Sequence, residues 1–189
     1  MLILLIILIV LAIAAFESPK YLYSLYALAA MGLVIGGYFI LNSSPVFGVI
    51  QIVAMAIIVF ALKTYLLEKA DEKIMPQNEI LPGLVAAALV LLLGVKIYPL
   101  LTFLPSLEIL GLFLVGLYAV VKKRNLARMI IGIVVMELSA DLFLSVVGER
   151  SGIITLAGVG AVVLLAMLVS MLHEKAGTLD ITKIKELKG

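Results

Sequence analysis

Apolar runs of membrane-crossing length, separated by short polar breaks, fill most of this 189-residue chain. Seven can be read, over residues 2–16, 21–41, 46–67, 80–101, 107–121, 126–148 and 153–172. A helix crosses a hydrocarbon layer in about 17–25 residues, and most of these runs have that length. The breaks are Glu17-Ser18-Pro19-Lys20, Asn42-Ser43-Ser44-Pro45, the charged stretch 68–78, Lys122-Lys123-Arg124-Asn125 and Glu149-Arg150-Ser151-Gly152. Pro99 and Pro105 bound a surface turn after the fourth run, and a polar tail, 173–189, follows the last. The runs are too long for barrel strands, and irregular backbone is not viable in lipid. The pattern therefore predicts an all-α, polytopic membrane bundle of seven transmembrane helices. It divides into a three-helix part (1–78), a four-helix part (79–173) and a cytoplasmic tail (174–189). Ala12 and Ala14 give the first run a cleavage-like pattern, but it has no basic leader, so an uncleaved first helix is expected.

The basic residues test that count. With seven spans, Lys20, Lys63, Lys69, Lys73, Lys122, Lys123, Arg124, Arg128, Lys175, Lys183, Lys185 and Lys188 fall toward one side. Only Lys96 and Arg150 fall toward the other. An excess of Lys and Arg marks the cytoplasmic side, so the N-terminus is expected outside and the C-terminus in the cytoplasm.

Composition narrows the chemistry. Hydrophobic residues make up 65% of the chain, more apolar surface than a water-soluble core absorbs, so lipid and partner helices must cover it. There is no cysteine and one histidine, His173, which is expected near the cytoplasmic interface. Iron–sulfur ligation, thiolate chemistry and bis-histidine haem ligation are thereby excluded within this chain. No cofactor or metal site is expected here. The basic residues form no single stripe, so no nucleic-acid partner is implied.

Against this background two acids stand out. Glu137 lies at the midpoint of run 126–148, and Asp141 follows one turn later on the same helix face. At about 1.5 Å per residue, Glu137 is roughly 16–17 Å from either end. A short side chain does not reach the interface from there, and intramembrane acids commonly mark proton or ion paths. Glu137 is thus the candidate proton carrier, its bland alternative being a neutral acid that bonds a neighbouring helix. Asp141 is either its relay partner or a carboxylate lining the outer vestibule. Gln51, Lys63 and Glu108 are possible accessories, although Lys63 fits a snorkelling role and Glu108 an interfacial one. Gly32 and Gly36, and Gly158 and Gly160, fit close helix packing. Tyr21, Tyr23, Tyr26 and Tyr38 fit an interfacial belt.

The stretch Gly116-Leu117-Tyr118 … Lys123-Arg124-Asn125-Leu126-Ala127-Arg128-Met129-Ile130-Ile131-Gly132-Ile133-Val134-Val135-Met136-Glu137 resembles the K subunit of respiratory complex I. It is also similar to the C subunit of multisubunit sodium/proton antiporters. Both place an Arg-Asn-Leu turn before a helix with Ile-Gly and a buried Glu. Here the Glu follows the Gly by five residues, as in the antiporter and membrane-hydrogenase relatives. In the complex I subunit it follows by two, at the place of Val134. The whole chain, including its ending Gly177-Thr178-Leu179-Asp180 … Leu187-Lys188-Gly189, resembles component E of hydrogenase-4 and formate hydrogenlyase complexes. This resemblance implies a subunit of a complex I-like membrane arm in the cell membrane of a prokaryote. Antiporter-like membrane subunits and a cytoplasmic hydrogenase module would be its partners, with the nickel–iron centre and iron–sulfur clusters in those partners. Run 153–172 carries no acid, and the region around Met55 no lysine, where relatives are expected to have them. Water or partner subunits would then complete the charged path. A subunit of a sodium/proton antiporter and a passive anchor are the alternatives.

Overall fold

The computed structural model describes residues 2–42, 44–70, 107–147 and 152–186. These form seven helices: α1 (Leu2–Glu17), α2 (Tyr21–Asn42), α3 (Pro45–Ala70), α4 (Leu107–Lys122), α5 (Leu126–Val147), α6 (Gly152–Ala176) and α7 (Ile181–Glu186). Six of the predicted spans coincide with α1 to α6. The fourth, 80–101, lies outside the described residues, as do Lys73, Lys96, Pro99, Pro105, Glu149 and Arg150. Four helices, α2, α3, α5 and α6, are long and apolar enough to cross a membrane. The 16-residue α1 and α4 rise only about 24 Å, short of a hydrocarbon core of about 30 Å.

Local chemistry sets the helix ends. Ser44 caps α3, its hydroxyl accepting from the Phe47 N–H at 3.5 Å, and Pro45 takes the first helical position. Asn125 caps α5 by accepting from the Ala127 N–H at 2.8 Å. Gly177 follows α6 with φ 69°, a left-handed stop that favours glycine. Two helices outrun their apolar stretches, α3 to Ala70 and α6 to Ala176. The polar residues that extend them pair with one another. Lys69 Nζ bonds Ser170 Oγ at 2.7 Å and Glu174 Oε1 at 2.8 Å.

Neighbouring helices follow the circuit α1–α2–α3–α6–α5–α4 and back to α1, with α5 also touching α1 and α2. Small residues bring backbones close. A Cβ on Gly48 would lie 2.6 Å from the Gly36 carbonyl oxygen, so α2 and α3 pack almost backbone to backbone there. Gly116 and Gly132 do the same for α4 and α5, each facing the other's carbonyl oxygen at 2.8 Å. Leu5, Leu28, Met31, Leu62, Ile131 and Val135 fill the interior. Ile3, Leu41, Phe60, Val121, Ile153 and Leu164 stand fully outside it. Helices apolar on both their inner and outer faces belong in a bilayer, and the chain is a membrane protein.

One end of the bundle is polar and stitched together. Lys123 Nζ meets Glu17 Oε1 at 2.6 Å. Arg128 donates to the Phe16 and Ser18 carbonyls that end α1. The tail folds back onto the same end. The Leu126 N–H donates to the Leu179 carbonyl and the Ile181 N–H to the Arg124 carbonyl, both at 3.1 Å. Leu179 is wholly buried in this contact.

Candidate functional site

The centre of α5 carries both predicted acids, and three helices converge on them. Asp141 is only 4% exposed. Its Oδ1 accepts from the Thr155 hydroxyl of α6 at 3.4 Å. The Gln51 amide of α3 lies within hydrogen-bonding reach of the same carboxyl. Gln51 and Thr155 are each 2% exposed. Two acceptor atoms here have no partner, Gln51 Oε1 and Asp141 Oδ2. Buried acceptors without donors are rare, because each loses its water without compensation.

Glu137 is half-buried and borders two spaces. On the inner side it lines a cavity of about 10 Å³ with Gln51, Ala54, Met55, Val134 and Thr155. That volume matches what one water needs. On the other side it lines an apolar groove of about 210 Å³ between α5 and α6, with Ile130, Ile133, Ala161, Val162 and Leu165. Between the two its carboxyl rests on Gly158, where any Cβ would overlap it. The two acids feel each other's field.

The structure thus brings Glu137, Asp141 and Gln51 together. Lys63 is exposed on α3, twelve positions further along the helix than Gln51, and is not part of the cluster. Glu108 falls in the first turn of α4, and its side chain lies outside the described residues. His173 sits in the last turn of α6. Among the described residues no three His, Cys, Asp or Glu side chains are placed to hold a metal ion. Thr155 escaped the sequence reading, and Gly158 was read there only as a packing position. The signal that could have found Thr155 is its spacing, three residues before Gly158 in α6 and so on the same face.

Fold and composition together define an all-helical, polytopic membrane protein. Residues 104–189, the stretch with α4 to α7, match the family model of the NADH-ubiquinone/plastoquinone oxidoreductase chain 4L. Hydrogenase-4 component E of Escherichia coli K12 is 33% identical over 91 residues, covering 45% of this chain and 42% of that protein. The same-named proteins of Escherichia coli O157:H7 and Shigella flexneri match to the same extent. The matched stretch therefore spans less than half the length of these curated relatives. No solved structure matches the chain significantly. The chain is thus similar to chain 4L over its C-terminal part and to hydrogenase-4 component E over 91 residues. Glu137, Asp141, Thr155 and Gly158 all lie inside the family-matched stretch, whereas Gln51 lies outside it.

Proposed function

We propose that this chain is a non-redox subunit of a membrane-bound hydrogenase complex of the formate hydrogenlyase type, and that Glu137 and Asp141 relay protons within its membrane arm. The observation that carries this reading is the placement of Glu137, mid-helix, between a water-sized cavity shared with Gln51 and Thr155 and an outward-facing groove. An acid sealed among apolar side chains has nowhere to pass a proton. This one has Gln51, Thr155 and Asp141 on one side and open space on the other. Proton transfer needs groups within hydrogen-bond reach or one water apart, and the inner cavity has room for that water.

In this reading the chain spans the cell membrane of a prokaryote seven times, with its polar, basic end in the cytoplasm. The apolar stretch 80–101 supplies the remaining span. Electron transfer takes place at the nickel–iron centre and iron–sulfur clusters of partner subunits. The chain also helps assemble the arm. Antiporter-like subunits packed along the α5–α6 groove continue the path.

The test is Glu137→Gln in the intact complex. Ion translocation is expected to fall roughly 10²-fold, the usual scale for losing one positioned acid–base group. Soluble-dye hydrogenase activity should stay near the wild-type level. Unchanged translocation would end the relay reading. The Thr155–Asp141 bond across α5 and α6 favours a second reading, in which the acids only tie helices together. In that case the same substitution lowers assembly yield but spares pumping in the complexes that form.

A further inference from the structure

Glu137 and Asp141 stand one turn apart on α5, yet among the described residues no hydrogen bond joins them, and they act on each other through space. The Glu137 carboxyl is turned onto Gly158 of α6. Asp141 does not line the small inner cavity that Glu137 borders. A proton moving between the acids therefore has to pass a group that reaches both. Among the described residues two side chains do so. Gln51 and Thr155 line the cavity, and each lies within hydrogen-bonding reach of the Asp141 carboxyl. They differ in chemistry. A hydroxyl both donates and accepts, whereas an amide oxygen only accepts and an amide N–H only donates. A proton arriving at Gln51 Oε1 cannot leave from its nitrogen without breaking the amide's resonance. Thr155 can take a hydrogen on one side and release its own on the other. Its hydroxyl donates to Asp141 Oδ1 at 3.4 Å.

The spacing on the Glu137 side fits one water. Thr155 stands three residues before Gly158, where the Glu137 carboxyl rests, and side chains so spaced on a helix lie about 5–6 Å apart. Two O–H···O bonds of about 2.7–2.8 Å each span that distance. The cavity, at about 10 Å³, holds one such molecule. Ala54, Met55, Ile58, Val134, Leu138 and Val159 form the rest of its wall. The water's partners are thereby confined to Glu137, Thr155 and Gln51. Gln51 Oε1 is a buried acceptor without a donor, and the water supplies the hydrogen it lacks.

We propose that Thr155 is the hydroxyl link of the relay, passing protons between Glu137 and Asp141 through one water, and that Gln51 is the positioning residue for that water. In one transfer the Glu137 acid gives its proton to the water, the water gives a hydrogen to Thr155 Oγ1, and Thr155 gives its own to Asp141 Oδ1. Glu137 ends ionised and Asp141 protonated, with the water and the hydroxyl re-formed. Rotation of both resets the chain. The inference rests on reading the two acids as a working relay. It adds a link on α6 and a positioning residue on α3, a helix outside the family-matched stretch.

Proton translocation per assembled complex, measured in native membranes beside dye-linked hydrogenase activity, tests it. Thr155→Val keeps the shape and removes the hydroxyl. Its translocation is expected to fall about 10²-fold, the scale of losing one positioned proton-transfer group, with dye-linked activity kept. Thr155→Ser retains the hydroxyl and should retain most of the rate. Gln51→Leu should lower translocation less and raise its ratio between H2O and D2O, because the slowed step is then the proton transfer itself. Looser packing alone would leave that ratio at the wild-type value. The proposal is overturned if Thr155→Val translocates at the wild-type rate, or if Thr155→Ser is as slow as Thr155→Val. Should Thr155→Val fail to assemble, Gln51→Leu decides, and an unchanged rate and isotope ratio there overturns the proposal. Glu137→Gln in the same assay separates the two readings. If it stops translocation while Thr155→Val does not, the relay stands without this link. If Glu137→Gln translocates normally, both fall.

Discussion

Gly158 matters for the side chain it lacks. The Glu137 carboxyl occupies the place a Cβ would take, against the α6 backbone, and this keeps it between the inner cavity and the outer groove. Gly160, two residues on, faces open space. The pair makes a controlled experiment. Gly160→Ala should leave translocation unchanged and stabilise α6 slightly, because alanine is favoured over glycine in a helix interior by about 1 kcal/mol. Gly158→Ala gains the same helix propensity but pushes the carboxyl aside. Displacements of about 1 Å at reacting groups can cost on the order of 10²-fold. Translocation by the complex should therefore drop by one to two orders of magnitude in Gly158→Ala, with dye-linked hydrogenase activity retained. Equal rates in the two variants would mean that the position of the carboxyl is irrelevant.

At the scale of helices, the sequence made the spans legible and hid their partners. Apolar run length located α1 to α6 because lipid leaves a crossing chain little choice but helix. It missed α7 because a six-residue helix has no such pattern. This short helix is held by its cap instead. Asp180 Oδ1 accepts from the Thr182 N–H at 2.9 Å and from the Thr182 hydroxyl at 2.7 Å. The same difference governed the site. Glu137 and Asp141 could be paired from their spacing, since both stand on α5. Gln51 could only be noted as polar within its span, and Thr155 was not singled out at all, because one sequence does not say which helices face each other. Removing the cap by Asp180→Ala should cost about 1 kcal/mol locally, seen as faster amide exchange over 178–184. Acid should act similarly. The bond from the Thr182 hydroxyl holds the Asp180 carboxyl below its usual range. A lowered folded-state value means the carboxylate's contribution is complete above the ordinary aspartate value of about 3.9 and fades as pH falls toward the lowered one. Proteolysis of the tail should accelerate over that acidic window and not near neutrality.

For the whole molecule, the two ends differ in charge and in construction. Lys20, Lys69, Lys122, Lys123, Arg124, Arg128, Lys175 and Lys183 gather where α1, α3, α4 and α6 end and α2 and α5 begin. The opposite end, where α2 and α5 finish, holds no Lys or Arg among the described residues. The basic end also carries the Lys123–Glu17 pair, the Lys69–Glu174 pair and the docked tail. Ion pairs of this kind stabilise little when exposed. In the proposed topology this end is the cytoplasmic one, following the bias of Lys and Arg toward the cytoplasm. The absence of cysteine makes the assignment easy to check, since any introduced thiol is the only one in the chain. Lys183→Cys places it in the exposed part of α7, and Asn42→Cys at the exposed far end of α2. A membrane-impermeant maleimide should label Lys183→Cys in inside-out vesicles and Asn42→Cys in right-side-out vesicles. The reverse pattern would turn the bundle over and place the α7 end away from any cytoplasmic hydrogenase module. Labelling of both positions from one side would contradict α2 as a membrane-crossing helix.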